Sequence, residues 1–204
     1  MKAMKLWAMT AAICITGLFS CGNNTNTKEE NKAAQEEPQQ TEVVEATQDE
    51  QTCMTAVEDY LVNTIGSNYA AAEICIPYSF IVNTDETNTD DILVWGNFWV
   101  LNYNLSGDTL KTISGGNHPG LMHVKKNDNG YEVTSFDAVV DGAGNLESAK
   151  KIFGEHFDAY QAIGSDDTKR NEEILRITAD YVKNHDIKAT MVQDYGWPAK
   201  NLPL

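Results

Sequence analysis

Basic residues are scarce in this sequence. It contains 15 lysine and arginine residues against 30 aspartate and glutamate residues, a formal net charge of −15 at pH 7. A face that binds nucleic-acid phosphates needs clustered Lys and Arg, and the closest approach to a cluster is Lys125-Lys126 or Lys150-Lys151. Nucleic acid is therefore not an expected partner, and adsorption of the chain to anionic lipid is disfavoured.

The sequence also lacks the short motifs that mark catalysis or cofactor binding. It has no G-x-S-x-G, H-E-x-x-H, Walker or G-x-G-x-x-G sequence, and no C-x-x-C or Cys/His zinc spacing. His118 and His123 are closely spaced, but positions five apart on a strand point to opposite faces. We therefore predict no metal site, no cofactor and no catalytic residue from motifs.

Cysteines are few, and each has a different expected fate. Cys14 lies in the N-terminal apolar run and Cys21 follows it, which leaves Cys53 and Cys75 for the rest of the chain. If the chain is exported, these two can form a disulfide. Both fall in apolar segments, so two buried thiols are the alternative.

The N-terminus has the layout of a signal peptide. Lys2 and Lys5 precede an apolar run over residues 6–19, which is too short to span a membrane comfortably. The run ends in Leu18-Phe19-Ser20-Cys21, which resembles the lipobox of bacterial lipoproteins. The alternatives are an uncleaved N-terminal anchor and an ordinary secreted protein.

The lipobox resemblance implies processing and location. Residues 1–20 would be the removed signal peptide, and Cys21 would carry acyl chains such as palmitate and anchor the protein in a membrane. Two or more acyl chains anchor stably, whereas one binds marginally. We expect a cell-envelope location, in the outer membrane or at the cell surface, and the sequence leaves the leaflet open.

Residues 21–50 predict a disordered acidic tether, because they are polar, rich in Glu and poor in large apolar side chains.

Residues 51–204 are long enough for a single globular domain with its own core. Apolar spacing predicts a helix over residues 52–65 that ends at Gly66. Pro77 favours an edge position or a bulge for the first strand. The strands are predicted at residues 73–82, 92–104, 109–114, 121–126 and 131–139, with a turn at 115–120, and two further helices at 146–163 and 167–184.

This order of elements predicts an α+β fold. A curved antiparallel sheet of four to five strands would pack on the N-terminal helix, with two C-terminal helices following. Over about residues 52–164 the order resembles the cystatin-like and NTF2-like group. The segment Tyr195-Gly196-Trp197-Pro198 is expected to pack back on the domain, because free tails seldom carry such aromatics.

The strand over residues 92–104 is apolar on both faces. One face carries the candidate ligand-binding residues Trp95, Asn97, Trp99 and Tyr103, and the opposite face is aliphatic and aromatic. Something must therefore cover each face. The candidates are helices of the same chain, a partner subunit in a homodimer through the sheet, or a ligand in a cavity.

Two functions follow from these patterns. The first is a membrane-anchored, non-enzymatic domain that binds a small molecule or a protein. The second, which rests on the family resemblance, is a small NTF2-like hydrolase or isomerase. It would use Asp137 with His123 or Tyr103 inside a pocket in the sheet.

Overall fold

The N-terminal helix starts earlier and ends differently than predicted. The computed structural model describes residues 48–128 and 130–204, so Cys21, the predicted signal peptide and most of the predicted tether lie outside the described residues. Helix α1 spans Gln48–Tyr60 and continues as a π-helical turn, Leu61–Ile65, and a 3-10 turn, Gly66–Asn68. Gly66 does not end the helix. It allows close packing instead, since a Cβ there would lie 2.8 Å from the Cys75 sulfur.

Four long strands form an antiparallel sheet, and the predicted α+β class with its curved sheet is confirmed. The strands are β1 (Ile74–Asp85), β2 (Ile92–Ser106), β3 (Thr109–Asn127) and β4 (Gly130–Ala138). β2 lies between β1 and β3, and β4 pairs with the far end of β3. β1 therefore lies at an edge, where Pro77 removes no hydrogen bond from a central ladder.

The predicted turn at residues 115–120 is wrong, because β3 runs through it without interruption. Leu101 pairs with Gly115 and Asn97 with Pro119. The glycines in this stretch allow close approach of other groups. A Cβ on Gly120 would lie 2.4 Å from the Asp137 carbonyl oxygen and 2.6 Å from an atom of the Phe136 ring.

The predicted helix over residues 146–163 is two helices. α2 (Asn145–Phe153) and α3 (Phe157–Ser165) are separated by a 3-10 turn that begins at Gly154, whose φ of 51° interrupts the helical path. The last helix, α4 (Asp167–Asn184), lies as predicted. The side chain of Asp166 caps its N-terminus by accepting from the Lys169 backbone N–H.

The C-terminus adds two short strands that periodicity did not predict. β5 (Met191–Gln193) pairs parallel with the start of β3, and β6 (Lys200–Asn201) pairs antiparallel with β5, so the sheet is mixed and six-stranded. The Tyr195 hydroxyl donates to the carbonyl of Ile113, the extra residue of a β-bulge opposite Asn102 and Tyr103. The segment is held on the domain, but the Trp197 ring remains 69% exposed.

Both faces of β2 are covered by the chain itself. Val94, Phe98 and Val100 pack with α1 in one core, and Leu101 and Tyr103 pack with α4 and the C-terminal strands in the other. The homodimer through the sheet stays a prediction, and in the part of the chain that the structure describes, elements of the same chain pack on both faces of β2. No helix in this part of the chain has both the length and the apolar character needed to cross a membrane.

Gly120 offers a test of this packing. Gly120→Ala is expected to lower the free energy of unfolding by about 1–3 kcal/mol, because the new methyl group meets backbone at Asp137 rather than a movable side chain. The matched control is Gly164→Ala in α3, where a Cβ meets nothing within 4 Å and the change is expected to be neutral or stabilising by up to about 1 kcal/mol. Urea unfolding of both variants measures the difference. Equal midpoints for Gly120→Ala and the wild type would contradict the packing.

Candidate functional site

The four candidate ligand-binding residues on β2 do not form one site. Trp95 lies in a cleft at the C-terminal end of α2, where its Nε1 donates to the Ile152 carbonyl at 3.0 Å and its ring lies 4.8 Å from that of His156. Trp99 and Tyr103 line a different cleft further along the strand. The structure thus brings together two of the four predicted residues.

Asn97 is not available to a ligand. It is 2% exposed, and no donor in the part of the chain that the structure describes reaches its Oδ1. The Nε1 of Trp99, two residues along the same face, is also buried without an acceptor among those residues. A buried polar atom without a partner costs roughly 1–3 kcal/mol. Asn97 is therefore a buried core residue with an unsatisfied amide oxygen, and its burial does not support the predicted role in orienting a ligand.

The cleft beside Trp99 and Tyr103, here called the Trp99 cleft, has a volume of about 560 Å³. It is the most enclosed of the four clefts described in the domain. The face of β2 forms its floor, α4 forms one wall and the C-terminal segment forms the other. Its apolar lining is Trp99, Leu101, Ile174, Leu175, Val192, Trp197, Pro198 and Ala199, and its charged lining residues are Arg170, Asp194 and Lys200.

Arg170 is held in place over the indole of Trp99. Its guanidinium carbon lies 5.6 Å from the ring centroid, which is within the range of a cation–π interaction. Its Nη1 donates to the Gly164 carbonyl at 3.1 Å, and its Nη2 pairs with the Asp167 carboxylate. The side chain is only 16% exposed. One edge of the Trp99 cleft therefore carries a cation in a fixed position.

Tyr103 forms part of a buried hydroxyl chain behind the cleft. The Thr178 hydroxyl donates to the Ile174 carbonyl at 2.7 Å, so Tyr78 donates to Thr178 at 2.8 Å and Tyr103 donates to Tyr78 at 2.8 Å. Burial raises the pKa of Tyr78 to about 12 and holds the pKa of Tyr103 well above its usual value, with the neighbouring Tyr78 contributing to the second shift. Both phenols are neutral and satisfied at pH 7, which suits a structural floor rather than an acid or base.

Of the candidate catalytic residues, Tyr103 lines the Trp99 cleft, whereas His123 and Asp137 lie elsewhere. The Nδ1 of His123 lies 2.8 Å from Asp91, and its Nε2 lies 3.7 Å from Asp137. Because His123 is paired with Leu93, the cluster lies ten residues along β2 from Tyr103, which is roughly 33 Å at strand spacing. None of Asp91, His123 and Asp137 lines any of the four clefts, and Asp137 is 64% exposed.

His118 lies on the other face of the sheet, apart from His123. Its Nε2 is 2.8 Å from the Tyr69 hydroxyl, and burial lowers the pKa of His118 below its usual value. A Cβ on Gly116 would lie 2.2 Å from that hydroxyl, which explains a glycine at that position. Among the described residues, no group of three His, Cys, Asp or Glu side chains converges in a way that could hold a metal ion.

Cys53 and Cys75 are thiols in the structure, with no disulfide between them. Cys53 lies on the buried face of α1 within the core, and Cys75 packs against the same core. Burial raises the pKa of the Cys75 thiol, which favours the unreactive protonated form. Of the two alternatives that the sequence left open, the structure contains the pair of thiols.

Several residues of the Trp99 cleft were not identified from the sequence. Arg170 lies on a helix predicted only for its apolar stripe, and Lys200 lies in a segment without a period. Trp197 gave the one available signal, since the aromatic segment around it was expected to pack on the domain. Its position across the cleft from β2 depends on contacts between residues about a hundred positions apart, which spacing alone cannot show.

Comparisons of the chain with protein-family models, with curated proteins and with solved structures find no match. The likeness to the cystatin-like and NTF2-like group stays a prediction from element order. The function of the Trp99 cleft must therefore be inferred from its own geometry.

Proposed function

We propose that this protein is a lipid-anchored protein of the bacterial cell envelope whose folded domain binds a ligand in the Trp99 cleft without catalysing a reaction. The Leu18-Phe19-Ser20-Cys21 sequence supports the anchor. The combination of an enclosed apolar cleft with a few charged groups at its edge supports the binding role. The ligand is a small molecule or an apolar segment of another protein.

The exposed ring of Trp197 is the observation that carries the binding proposal. It is 69% exposed, although the backbone around it is ordered by two hydrogen bonds, from Trp197 N–H to the Asp194 carbonyl and from the Gln193 amide to the Trp197 carbonyl, both at 3.0 Å. A large aromatic side chain held in water at the rim of an apolar cleft is typical of a ligand or partner site.

The NTF2-like hydrolase or isomerase is the second candidate, and one observation favours it. His123 lies between the carboxylates of Asp91 and Asp137, an arrangement that can orient an imidazole. An enzyme would also need a cleft that places a substrate against these groups and excludes water. The cluster lies at the surface outside the described clefts, so binding is the better-supported function.

The three tryptophans of the domain provide an internal test of the binding role. In ¹H–¹⁵N spectra of the full chain, we expect glycans, lipids or peptides that bind to shift the indole signals of Trp99 and Trp197. The Trp95 signal should stay in place, because that indole N–H is bonded to Ile152 in a separate cleft. Tryptophan-to-phenylalanine variants assign these three signals and distinguish them from that of Trp7.

Trp197→Ala should weaken binding by about tenfold without lowering stability, since the ring is mostly exposed and forms one wall of the cleft. Val140→Ala is the control, because Val140 is 56% exposed and lines none of the four clefts. If only the Trp95 signal responds, the ligand binds in the cleft that contains Trp95 and not in the Trp99 cleft. A panel in which no indole responds would remove the binding proposal.

The anchor has a separate test in living bacteria. Labelled palmitate should be incorporated into the wild-type chain and into Cys14→Ala, but not into Cys21→Ala, because only the thiol of Cys21 follows the lipobox sequence. The Cys21→Ala chain should also leave the membrane fraction or accumulate unprocessed. Palmitate incorporation that survives Cys21→Ala would show that the lipid is attached at another residue.

A further inference from the structure

The Trp99 cleft differs from its neighbours in charge. It is lined by two basic residues, Arg170 and Lys200, and one acidic residue, Asp194. The Trp95 cleft is lined by three acidic residues and no Lys or Arg, and the cleft beside Leu146 by one acidic residue and no Lys or Arg. In the fourth cleft three basic residues, one of them Arg170 again, face three acidic ones. In a chain with a formal net charge of −15, a cleft whose lining holds more basic than acidic residues favours an anionic group, chiefly through Lys200 because Arg170 is already paired with Asp167.

The two cations are available to different degrees. Arg170 is already paired with Asp167 and donates to Gly164, but its guanidinium has five N–H donors and keeps some of them for a ligand. Lys200 lies on β6, and its ammonium group forms no ion pair with the residues that the structure describes. Asp194 is partly engaged, since one of its carboxylate oxygens accepts from the Tyr195 backbone N–H.

Most of the uncharged lining is apolar and continuous with the second core, and its polar members are Thr112, Asn171 and Tyr103. Leu101 lies on the floor, Ile174 and Leu175 lie on α4, and Val192 lies on β5, all within the same hydrophobic cluster. An apolar chain or ring in this position would bury its own apolar surface and that of these four side chains away from water.

We propose that the Trp99 cleft binds an amphiphile with an apolar body and one anionic end, a carboxylate or a phosphate. The anionic end lies near Lys200 and Arg170, and the apolar body lies between Trp197 and the Leu101 floor. This inference rests on the proposed binding function and adds the chemical class of the ligand to it.

Four probes with the same eight-carbon chain separate charge from apolar contact. They are octanoate, octyl phosphate, 1-octanol and octylamine. The full chain is used with Cys21→Ser, so that no acyl chain of its own competes, and affinities are read from the indole signals of Trp99 and Trp197. We expect each of the two anionic probes to bind about tenfold more tightly than 1-octanol does. Octylamine is expected to bind most weakly of the four. The ratio of octanoate to octyl phosphate then decides between a carboxylate and a phosphate head.

Lys200→Gln tests where the anion lies. It should lower the affinity for octanoate about three- to tenfold and leave the affinity for 1-octanol unchanged. The control is Lys188→Gln, an exposed lysine that lines none of the four clefts, and it should change neither affinity.

The outcomes distinguish this inference from the function on which it rests. If 1-octanol binds as tightly as octanoate and Trp197→Ala weakens both, the cleft is a binding site but the preference for an anion is wrong. Tighter binding of octylamine than of octanoate would overturn the charge argument in the same way. If none of the four probes shifts either indole, the amphiphile inference is wrong, while glycans and peptides in the wider panel still test the binding function.

Discussion

The burial of β2 on both faces is the constraint on which the other elements depend. Its even-numbered residues include Val94, Phe98 and Val100, and each is fully buried in the core under α1. Full burial of a large apolar side chain contributes about 1.5–3 kcal/mol. Because the odd-numbered face is also apolar, it has to be covered as well, and α4 covers it together with side chains of the C-terminal segment. The domain thus has a core on each face of one sheet, and β2 contributes to both.

The proposed site lies where the second layer is incomplete. Near Trp95, the C-terminal end of α2 packs over β2. At Asn97 the side chain is buried so completely that its amide oxygen has no hydrogen-bond partner among the described residues. Beyond Trp99 the cover passes from α4 to a C-terminal segment of two short strands, and the Trp99 cleft lies between them. The pattern that makes β2 a core strand therefore also supplies the floor of the cleft.

Periodicity predicted most of the fold because the long elements have strong two- or four-residue patterns. It failed where a glycine can serve either in a turn or in close packing. Residues 115–120 carry three glycines, which indicate a turn when considered alone, but in the sheet they make room for Tyr69 and Phe136. Gly154 had no predicted role, yet it divides the predicted helix. The break was not predicted because it shows only in the backbone, where Gly154 has a φ of 51°.

The site was harder to predict than the fold. Trp99 and Tyr103 could be identified because they lie on a strand with two apolar faces. Arg170, Trp197 and Lys200 reach the cleft from parts of the chain about 70 to 100 residues further on, and the strand that carries Lys200 is two residues long. A strand this short forms only because β5 presents an edge to it, so no local pattern in the sequence specifies it.

Hydroxyl-radical footprinting of the tryptophans, read by mass spectrometry, tests the account most directly, because each indole reports the cover over one part of the domain. The account predicts that Trp197 is oxidised several times faster than Trp95 and Trp99, since it is 69% exposed while helices of the chain cover the face of β2 that carries the other two. Oxidation of Trp95 and Trp99 as fast as that of Trp197 would contradict it, because that face of β2 would then be open to water.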